Sequence, residues 1–220
     1  MDSPSRTELE KERKRDAILK AAEKLFLSKG YAETSMNDLA EKSQFTKRTI
    51  YSYFTCKEDL FCAVIRIWYE ELFAEMKRLV PETGSGLERI RQSCFCYYEL
   101  YRKKPVALNL MNALAPVKAA RNSVDLPNYP KLSDFKTMLI GLITQLFEDG
   151  KKDGSIRTDI ATPELVASFV FTLTGYFNIL SLNGKSYIKY FGFDEMLFVK
   201  NGITLLVDSV KKEKGNEKNE

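Results

Sequence analysis

Side chains that donate hydrogen bonds are concentrated in one segment of this chain, Phe45–Leu60 (FTKRTIYSYFTCKEDL). The residues between 42 and 57 include no acidic side chain, and Glu58 and Asp59 follow immediately. Lysine, arginine, threonine, serine and tyrosine all carry donors. A run of donors that excludes carboxylates is typical of a surface that meets a polyanion, such as the phosphate backbone of nucleic acid.

The apolar residues of this segment indicate which of its side chains face solvent. Ile50 and Phe54 lie four residues apart, so they share one face of a short helix that packs on the preceding helices. Lys47, Arg48 and Tyr51 then point outward, where their donors are accessible.

A second short helix is predicted just before this one. It starts at Ser35–Asp38 (SMND), a capping-box-like sequence, and Leu39 faces inward. Two short helices joined by a tight turn, the second with exposed donors, form a helix-turn-helix whose second helix fits the major groove of DNA. The alternative is a solvated basic helix face. Tyr51 and Tyr53 favour DNA binding, because a phenol hydroxyl beside charges is a normal phosphate ligand.

The rest of the chain shows helical periodicity, with no credible strand pair and no internal repeat. The predicted fold class is all-α, with an N-terminal three-helix helix-turn-helix domain joined by a long helix to a larger helical domain. We predict a loose arm over 1–15, the helix-turn-helix domain over 16–58, the larger domain over 59–212 and a disordered tail over 213–220. Later helices are expected at about 87–103, 106–115, 132–149, 163–182 and 194–212, with a proline-marked loop between 116 and 130.

Composition excludes several classes of function. The chain has 220 residues, a net charge of +4 and no histidine, and the missing imidazole rules out Ser-His-Asp and Cys-His catalysis and many metal sites. Cys94 and Cys96 have the wrong spacing for a zinc knuckle and are expected to pack on a helix. No export signal is present and no run approaches the length of a membrane span. We therefore predict a cytoplasmic protein without membrane contact, enzymatic activity, cofactor or metal; an all-helical enzyme and a protein-interaction module without DNA function remain the alternatives.

Three segments of the sequence resemble the DNA-binding domain of TetR-family regulators. They are Ala22–Phe26 (AEKLF), Gly30–Ser35 (GYAETS) and Thr46–Leu60 (TKRTIYSYFTCKEDL), and they span about a quarter of the chain. Residues 150–169 are similar to the loop and helix start often seen in the C-terminal domain of the family. The resemblance implies a homodimer that binds palindromic double-stranded operator DNA, most often as a repressor, and that is released by a small hydrophobic or aromatic effector. It assigns effector binding and dimerisation to residues 59–212.

Motif positions carry the DNA contacts of the family onto this chain. Those on the second helix of the motif and just after it are Thr46, Lys47, Arg48, Thr49, Tyr51, Tyr53 and Lys57. Those near the start of the preceding helix, which add phosphate contacts through hydroxyls and helix N–H groups, are Thr34, Ser35 and Asn37. Two residues depart from the family pattern. Gln44 replaces a turn glycine, so we expect a slightly different turn, and Arg48 replaces a small residue and is suited either to a bidentate contact with guanine or to a phosphate.

The resemblance also implies an effector pocket among the middle helices and a dimer interface on the last two. Candidates for the pocket are Trp68, Phe73, Phe95, Tyr98, Tyr101, Met111, Phe135, Met138, Phe177 and Asn178. Candidates for the interface are Phe169, Thr172, Leu173, Tyr176, Leu180, Leu197, Asn201, Leu205 and Asp208. For both sets the alternative is a role in the core of the monomer. The expected mechanism is that effector binding shifts the Leu60–Leu79 helix and so changes the separation of the two recognition helices.

Overall fold

The computed structural model describes residues 5–120 and 125–213, and these residues form ten α-helices and no β-strand. This confirms the all-α prediction. An isolated antiparallel bridge joins Ile156 to Lys211. In chain order the helices are α1 Arg6–Lys29, α2 Met36–Ser43, α3 Lys47–Tyr51, α4 Lys57–Leu79, α5 Gly86–Lys103, α6 Pro105–Asn112, α7 Ala115–Ala120, α8 Asn128–Lys152, α9 Thr162–Phe191 and α10 Glu195–Asp208.

The chain divides into two compact units. The N-terminal unit comprises Met1–Tyr69 and Asn109–Phe135, and the C-terminal unit comprises Glu70–Leu108 and Lys136–Glu220. Helices α4, α6 and α8 each continue from one unit into the other. The division lies later than the predicted boundary after residue 58, because the first three turns of α4 belong to the core of the N-terminal unit.

The first helix starts earlier than predicted. We expected a loose arm over residues 1–15, but residues 6–15 form the first turns of α1, so that prediction is wrong for them; residues 1–4 and 214–220 lie outside the described chain. Ser5 and Glu8 form a capping box, in which the Glu8 carboxylate accepts from the Ser5 N–H at 2.7 Å and the Glu8 N–H donates to Ser5 Oγ at 3.3 Å. Such a cap satisfies N–H groups that have no partner inside the helix.

The start of α8 and the end of α9 also differ from the predicted positions. α8 begins at Asn128 with Pro130 in its first turn, which is tolerated because first-turn N–H groups have no partner inside the helix. α9 continues past the predicted end at 182 to Phe191. It passes Gly184, which is buried, and stops at Gly192, which has the left-handed φ of 70° typical of a helix C-terminus.

The core of the N-terminal unit is built on the apolar face of α1. Ile18, Ala22 and Phe26 recur at helical spacing and are buried. The Phe26 ring meets that of Phe61 in α4 edge to face, with centroids 5.2 Å apart. This geometry is favourable for aromatic pairs, and it joins the first helix to the long fourth one.

In the C-terminal unit, α5, α9 and α10 pack against one another. Cys94 and Cys96 of α5 are buried free thiols, as expected of packing residues. Burial raises the pKa of both thiols to about 12, so they are protonated and unreactive at neutral pH.

The start of α5 and the end of α8 are in backbone contact. A Cβ added to Gly86 would lie 2.3 Å from the Cα and N atoms of Gly150. The Gly86 N–H donates to the Asp153 carboxylate at 2.6 Å, and Arg89 pairs with Asp149 at 2.9 Å. This junction therefore requires glycine at position 86.

We expect Gly86→Ala to lower the free energy of unfolding by about 2 kcal/mol or more, because the methyl group overpacks a backbone contact. Gly141→Ala is the matched control: Gly141 lies within α8, and no atom lies within 4 Å of its added Cβ. That change is expected to stabilise the protein by about 0.5–1 kcal/mol through helix propensity. Urea denaturation of the two variants measures both values, and equal stabilities would contradict the assigned contact.

Candidate nucleic-acid interface

The recognition helix α3 is held by two apolar side chains. Ile50 and Phe54 are fully buried in the N-terminal unit, as the sequence predicted. Thr46 caps the helix, since its Oγ1 accepts from the Thr49 N–H at 3.1 Å. One face of α3 is therefore anchored and the opposite face is presented to solvent.

The outward face of α3 carries the predicted donors. Lys47 and Arg48 are exposed, and Tyr51 is 49% exposed, whereas Thr49 and Tyr53 are half-buried. Across residues 5–120 and 125–213, neither Lys47 nor Arg48 forms an ion pair with an acidic side chain. Both charges are thus available to a partner from outside the protein.

The turn before α3 keeps a glycine-like conformation without a glycine. Gln44 has φ 60° and ψ 26°, and among the described residues it alone combines a side chain with a positive φ. The Phe45 N–H donates back to the Ala40 carbonyl at 3.2 Å, which closes the end of α2. The turn expected to differ therefore retains the left-handed geometry, which for a residue with a side chain costs roughly 1–2 kcal/mol.

The start of α2 combines polar groups with a neutralised carboxylate. Ser35 caps the helix and Asn37 is exposed. The Lys29 ammonium lies 2.8 Å from Asp38, and this contact together with hydrogen bonds from Ser35 holds the pKa of Asp38 well below its usual range. The predicted phosphate contacts of Ser35 and Asn37 thus have a carboxylate nearby whose charge is balanced inside the protein.

Thr34 does not have the role predicted for it. It is 1% exposed, and its hydroxyl donates to the Gly30 carbonyl at 2.7 Å. A buried hydroxyl that is already bonded does not reach a phosphate, so the predicted contact through its side chain is wrong. The residue instead closes the loop between α1 and α2.

Lys57 also serves this loop. Its ammonium donates to the carbonyls of Tyr31 and Thr34 at 3.0 and 2.9 Å and lies 4.2 Å from the centroid of the Tyr31 ring. The Tyr31 hydroxyl donates to Glu58. Burial and this carboxylate raise the pKa of Tyr31, so the phenol stays protonated. An ammonium has three N–H donors, and these two hydrogen bonds use two of them.

The predicted effector residues are divided between the two units. Trp68, Met111 and Phe135 belong to the N-terminal unit, and the other seven candidates belong to the C-terminal unit. Trp68 is fully buried, and its indole N–H donates to Glu23 at 2.8 Å. Met138 is exposed.

Within the C-terminal unit, part of the predicted effector set does come together. Tyr101 contacts both Tyr98 and Phe177, with ring centroids 6.2 and 5.9 Å apart. Burial, followed by the nearby Glu195 carboxylate, raises the pKa of Tyr101 to about 12. These rings are therefore a neutral aromatic cluster at physiological pH.

A small apolar cavity in the C-terminal unit involves residues that the sequence did not single out as effector ligands. It has a volume of about 20 Å³ and is lined by Met76, Ser93, Tyr97, Ile143 and others. That volume holds about one water molecule, whereas ligand pockets are typically ~300–1,000 Å³. Binding of an effector here therefore requires the lining side chains to move.

The predicted dimer stripe on α9 is mostly core. Phe169, Leu173 and Leu180 are buried within the C-terminal unit, and Phe169 and Leu173 line the small cavity. Because these side chains are covered inside one protomer, they leave little area for contact with a second. Tyr176 is half-buried and stacks on Phe198, with centroids 6.3 Å apart.

Other predicted interface residues do face solvent. Thr172 on α9 is exposed, as are Leu197, Asn201, Leu205 and Asp208 on α10. The apolar surface of α9 itself lies on a different face from the predicted stripe and consists of Phe171, Ile179 and Leu182, with Tyr187 and Tyr190 nearer the C-terminal end. The spacing of apolar residues did not distinguish this face from the buried one, because both faces of α9 are apolar.

By length and composition alone, α9 is also apolar enough to cross a membrane, with a mean hydropathy of 1.7 over its best window. The expectation that no stretch of the chain approaches a span is wrong on this criterion. Core helices of soluble proteins satisfy the same criterion, and a third of that window is buried inside the protein.

Known proteins resemble this chain both in the helix-turn-helix segment and over most of its length. Residues 18–64 match the family described as bacterial regulatory proteins, tetR family. The HTH-type transcriptional repressor BepR of Brucella suis is 23% identical over 94% of this chain and 96% of its own. The repressor KstR2 of Mycolicibacterium smegmatis is 22% identical over 71% of this chain and 74% of its own. The FadR transcriptional regulator of Bacillus subtilis, solved in complex with stearoyl-CoA, shares the fold with a TM-score of 0.69, 15% identity and coverage of 89% and 98% of the two chains.

Two substitutions on α3 are expected to separate base contacts from phosphate contacts. Arg48→Ala is expected to weaken binding to a specific duplex about 10–100-fold and to affect a scrambled duplex much less, because a bidentate arginine–guanine contact discriminates by ~1–3 kcal/mol. Tyr51→Phe removes only a hydroxyl, and we expect it to weaken binding to both duplexes alike. Fluorescence anisotropy with the two duplexes at constant salt measures both effects.

Lys20→Ala is the control for these variants, since Lys20 is an exposed lysine on α1 outside the predicted set. Equal losses on specific and scrambled DNA for Arg48→Ala would show that this guanidinium contacts a phosphate and not a base.

Proposed function

This chain belongs to the TetR family of bacterial transcriptional regulators, and from that premise we propose that it is a cytoplasmic, non-enzymatic repressor that leaves a palindromic operator when a hydrophobic effector binds. Members of this family bind operator DNA, typically as dimers, and respond to small-molecule effectors. The observation that carries the proposal is α3. Its apolar face is fully buried, while Lys47, Arg48 and Tyr51 are exposed and pair with no carboxylate among the residues that the structure describes.

The short α3 determines how DNA is bound. A helix of five residues presents few side chains to base edges, so one copy reads only part of a site. Two copies related by a twofold axis read an inverted repeat with half-sites about one helical turn apart or slightly more. Thr46, Lys47, Arg48, Thr49, Tyr51, Tyr53, Ser35 and Asn37 are the proposed contacts, with a single remaining donor from Lys57.

A second copy of the chain is the proposed partner for the exposed apolar residues of α9 and α10. Phe171 is 79% exposed and Leu205 75% exposed, and Ile179, Leu182 and Leu197 are exposed as well. Large apolar side chains grouped on the surface of a soluble protein mark an interaction site. Two copies of this helix pair, packed face to face, form a four-helix interface that covers these residues.

We propose a hydrophobic effector for the C-terminal unit. The aromatic cluster around Tyr101 and Phe177 and the apolar cavity beside Ile143 present mainly apolar surface, and the structural neighbour from Bacillus subtilis was solved with stearoyl-CoA. Because the cavity holds about one water molecule, the effector must favour a conformation with an enlarged pocket. Such differential affinity for two conformations is what couples effector binding to DNA release.

The first test is selection of binding sites from a random duplex pool at two salt concentrations. We expect recovery of an inverted repeat, with affinity that falls steeply as salt rises, because bound phosphates release counterions. Salt-sensitive binding without an enriched sequence would contradict sequence-specific regulation. No binding at either salt concentration would favour a protein-interaction module.

The dimer is tested by placing a charge on the proposed interface. Leu205→Glu is expected to raise the dimer dissociation constant at least about tenfold, since a buried unpaired carboxylate is strongly unfavourable. Leu9→Glu is the control, because Leu9 is an exposed leucine on α1, outside the proposed interface. Sedimentation velocity over a dilution series gives both constants, and an unchanged constant for Leu205→Glu would exclude α10 from the interface.

A further inference from the structure

An open groove runs between α4 and α5 inside the C-terminal unit. We call it the α4–α5 groove; the residues that line it include Leu72, Ala74, Glu75, Arg78, Leu100 and Lys103. Its volume is about 410 Å³, which lies within the range of ~300–1,000 Å³ typical of ligand sites. The cavity beside Ile143, at about 20 Å³, must enlarge before it admits a ligand, whereas the α4–α5 groove already has the volume of a binding site.

The α4–α5 groove and the small cavity use different faces of α4. Met76 lines the cavity, whereas Ala74 and Arg78 line the groove. At 3.6 residues per turn, positions two residues before and after Met76 lie roughly 160° away from it around the helix axis. In the described chain no residue of α9 or α10 lines the groove, so the proposed dimer face does not use it either.

The floor of the groove is apolar. Leu72 and Leu100 are buried beneath it, and the exposed Ala74 is small enough to leave the space above them open. The aliphatic stems of arginine and lysine side chains add apolar surface at the rim. An apolar molecule in this groove is therefore partly removed from water, which is favourable.

One carboxylate at the rim of the groove holds two cations. Glu75 Oε1 accepts from the Lys103 ammonium at 2.7 Å, and Glu75 Oε2 accepts from Nε and Nη2 of Arg78 at 2.9 and 2.7 Å. These contacts, with Lys103 first, hold the pKa of Glu75 below its usual range, so Glu75 is ionised at neutral pH. Two positive charges and one negative charge leave this group of three residues with a net charge of +1.

The excess charge is accessible from outside the protein. The side chains of Lys103 and Arg78 are 54% and 63% exposed, and both retain N–H donors that Glu75 does not use. A single negative charge between them balances the group, whereas a phosphate, with a charge of about −1.5 to −2, exceeds it and a cation is repelled. The rim is therefore complementary to a monoanion such as a carboxylate.

We propose that the α4–α5 groove binds an amphipathic monocarboxylate. Its carboxylate lies between Lys103 and Arg78, where charge-assisted hydrogen bonds are strong, and its apolar body lies over Leu72, Ala74 and Leu100. At about 30 Å³ per non-hydrogen atom, the share of a water molecule in the liquid, the groove admits roughly 10–15 such atoms, the size of a medium-chain fatty acid such as decanoate. The inference goes beyond the proposed function, since this site requires neither DNA nor a second copy of the chain.

The test is isothermal titration calorimetry of the full-length protein with decanoate. Saturable binding of one decanoate per chain is expected, with affinity that falls as salt rises, because exposed charges are screened. Acetate lacks the apolar body and decyltrimethylammonium reverses the charge. Both are expected to bind at least about tenfold more weakly than decanoate, because each loses one of the two favourable contributions.

Two substitutions locate the bound decanoate. Lys103→Gln removes one cation and is expected to weaken decanoate binding about tenfold through the lost charge-assisted hydrogen bond. Ala74→Phe keeps every charge but fills the space above the floor, and a loss of at least about tenfold is expected because an overpacked site excludes the ligand. Both side chains are exposed and surface ion pairs contribute little to stability, so both variants are expected to fold, which thermal unfolding checks.

Three control variants keep the groove intact. Lys103→Arg retains the positive charge, and Ala74→Ser retains a small side chain at the same position. Lys200→Gln removes an exposed lysine of α10 and so changes the net charge of the protein as much as Lys103→Gln does. All three are expected to bind decanoate with wild-type affinity.

Three results would overturn this inference. They are decanoate binding that does not saturate, equal affinity for decanoate and decyltrimethylammonium, and unchanged decanoate affinity in either Lys103→Gln or Ala74→Phe. The last is the result expected if decanoate enters the small cavity beside Ile143 instead. None of these results bears on DNA binding, which the selection of binding sites tests separately.

Discussion

The recognition helix depends on the burial of Ile50 and Phe54. A helix of five residues has no stability of its own, since isolated helices shorter than about 12–15 residues are marginal in water. Burying each of these side chains contributes roughly 1.5–3 kcal/mol, and this anchors α3 on the N-terminal unit. Thr46 at one end and the left-handed Gln44 before it set its direction. The proposed contacts of α3 with DNA are placed by this anchoring.

Polar residues around the helix-turn-helix fall into two groups that differ in their partners. Lys47, Arg48 and Tyr51 face solvent without a carboxylate partner in the described chain, and they are suited to an external polyanion. Lys57 and Thr34 satisfy carbonyls in the α1–α2 loop, so their main contribution is to the shape of the binding unit. Both groups have donor-rich side chains, but only the first has all of its donors available to DNA.

The long α9 serves two different neighbours. One of its faces is buried against α5, α8 and α10 and includes Phe169 and Leu173, whereas another exposes Phe171, Ile179 and Leu182. A helix that is apolar on both faces requires cover on both. A second copy of the chain provides the missing cover in our proposal, and this accounts for a hydropathy high enough to resemble a membrane span.

Local signals in the sequence determined the fold class, the caps at Ser35 and Thr46, the first-turn proline of α9, the buried pair Ile50 and Phe54, and the exposed donors of α3. These features depend on residues within one or two turns of each other. The sequence did not determine the partners of Lys57, of Asp59 or of the apolar faces of α9. Asp59 bonds to a residue 69 positions away, and periodicity defines a face without stating what lies against it. Only the tertiary structure decided that Thr34 is buried, that Phe169 and Leu173 are core residues, and that the start of α8 bonds to the Asp59 carboxylate of α4. Each of these outcomes depends on which distant segments fold against one another.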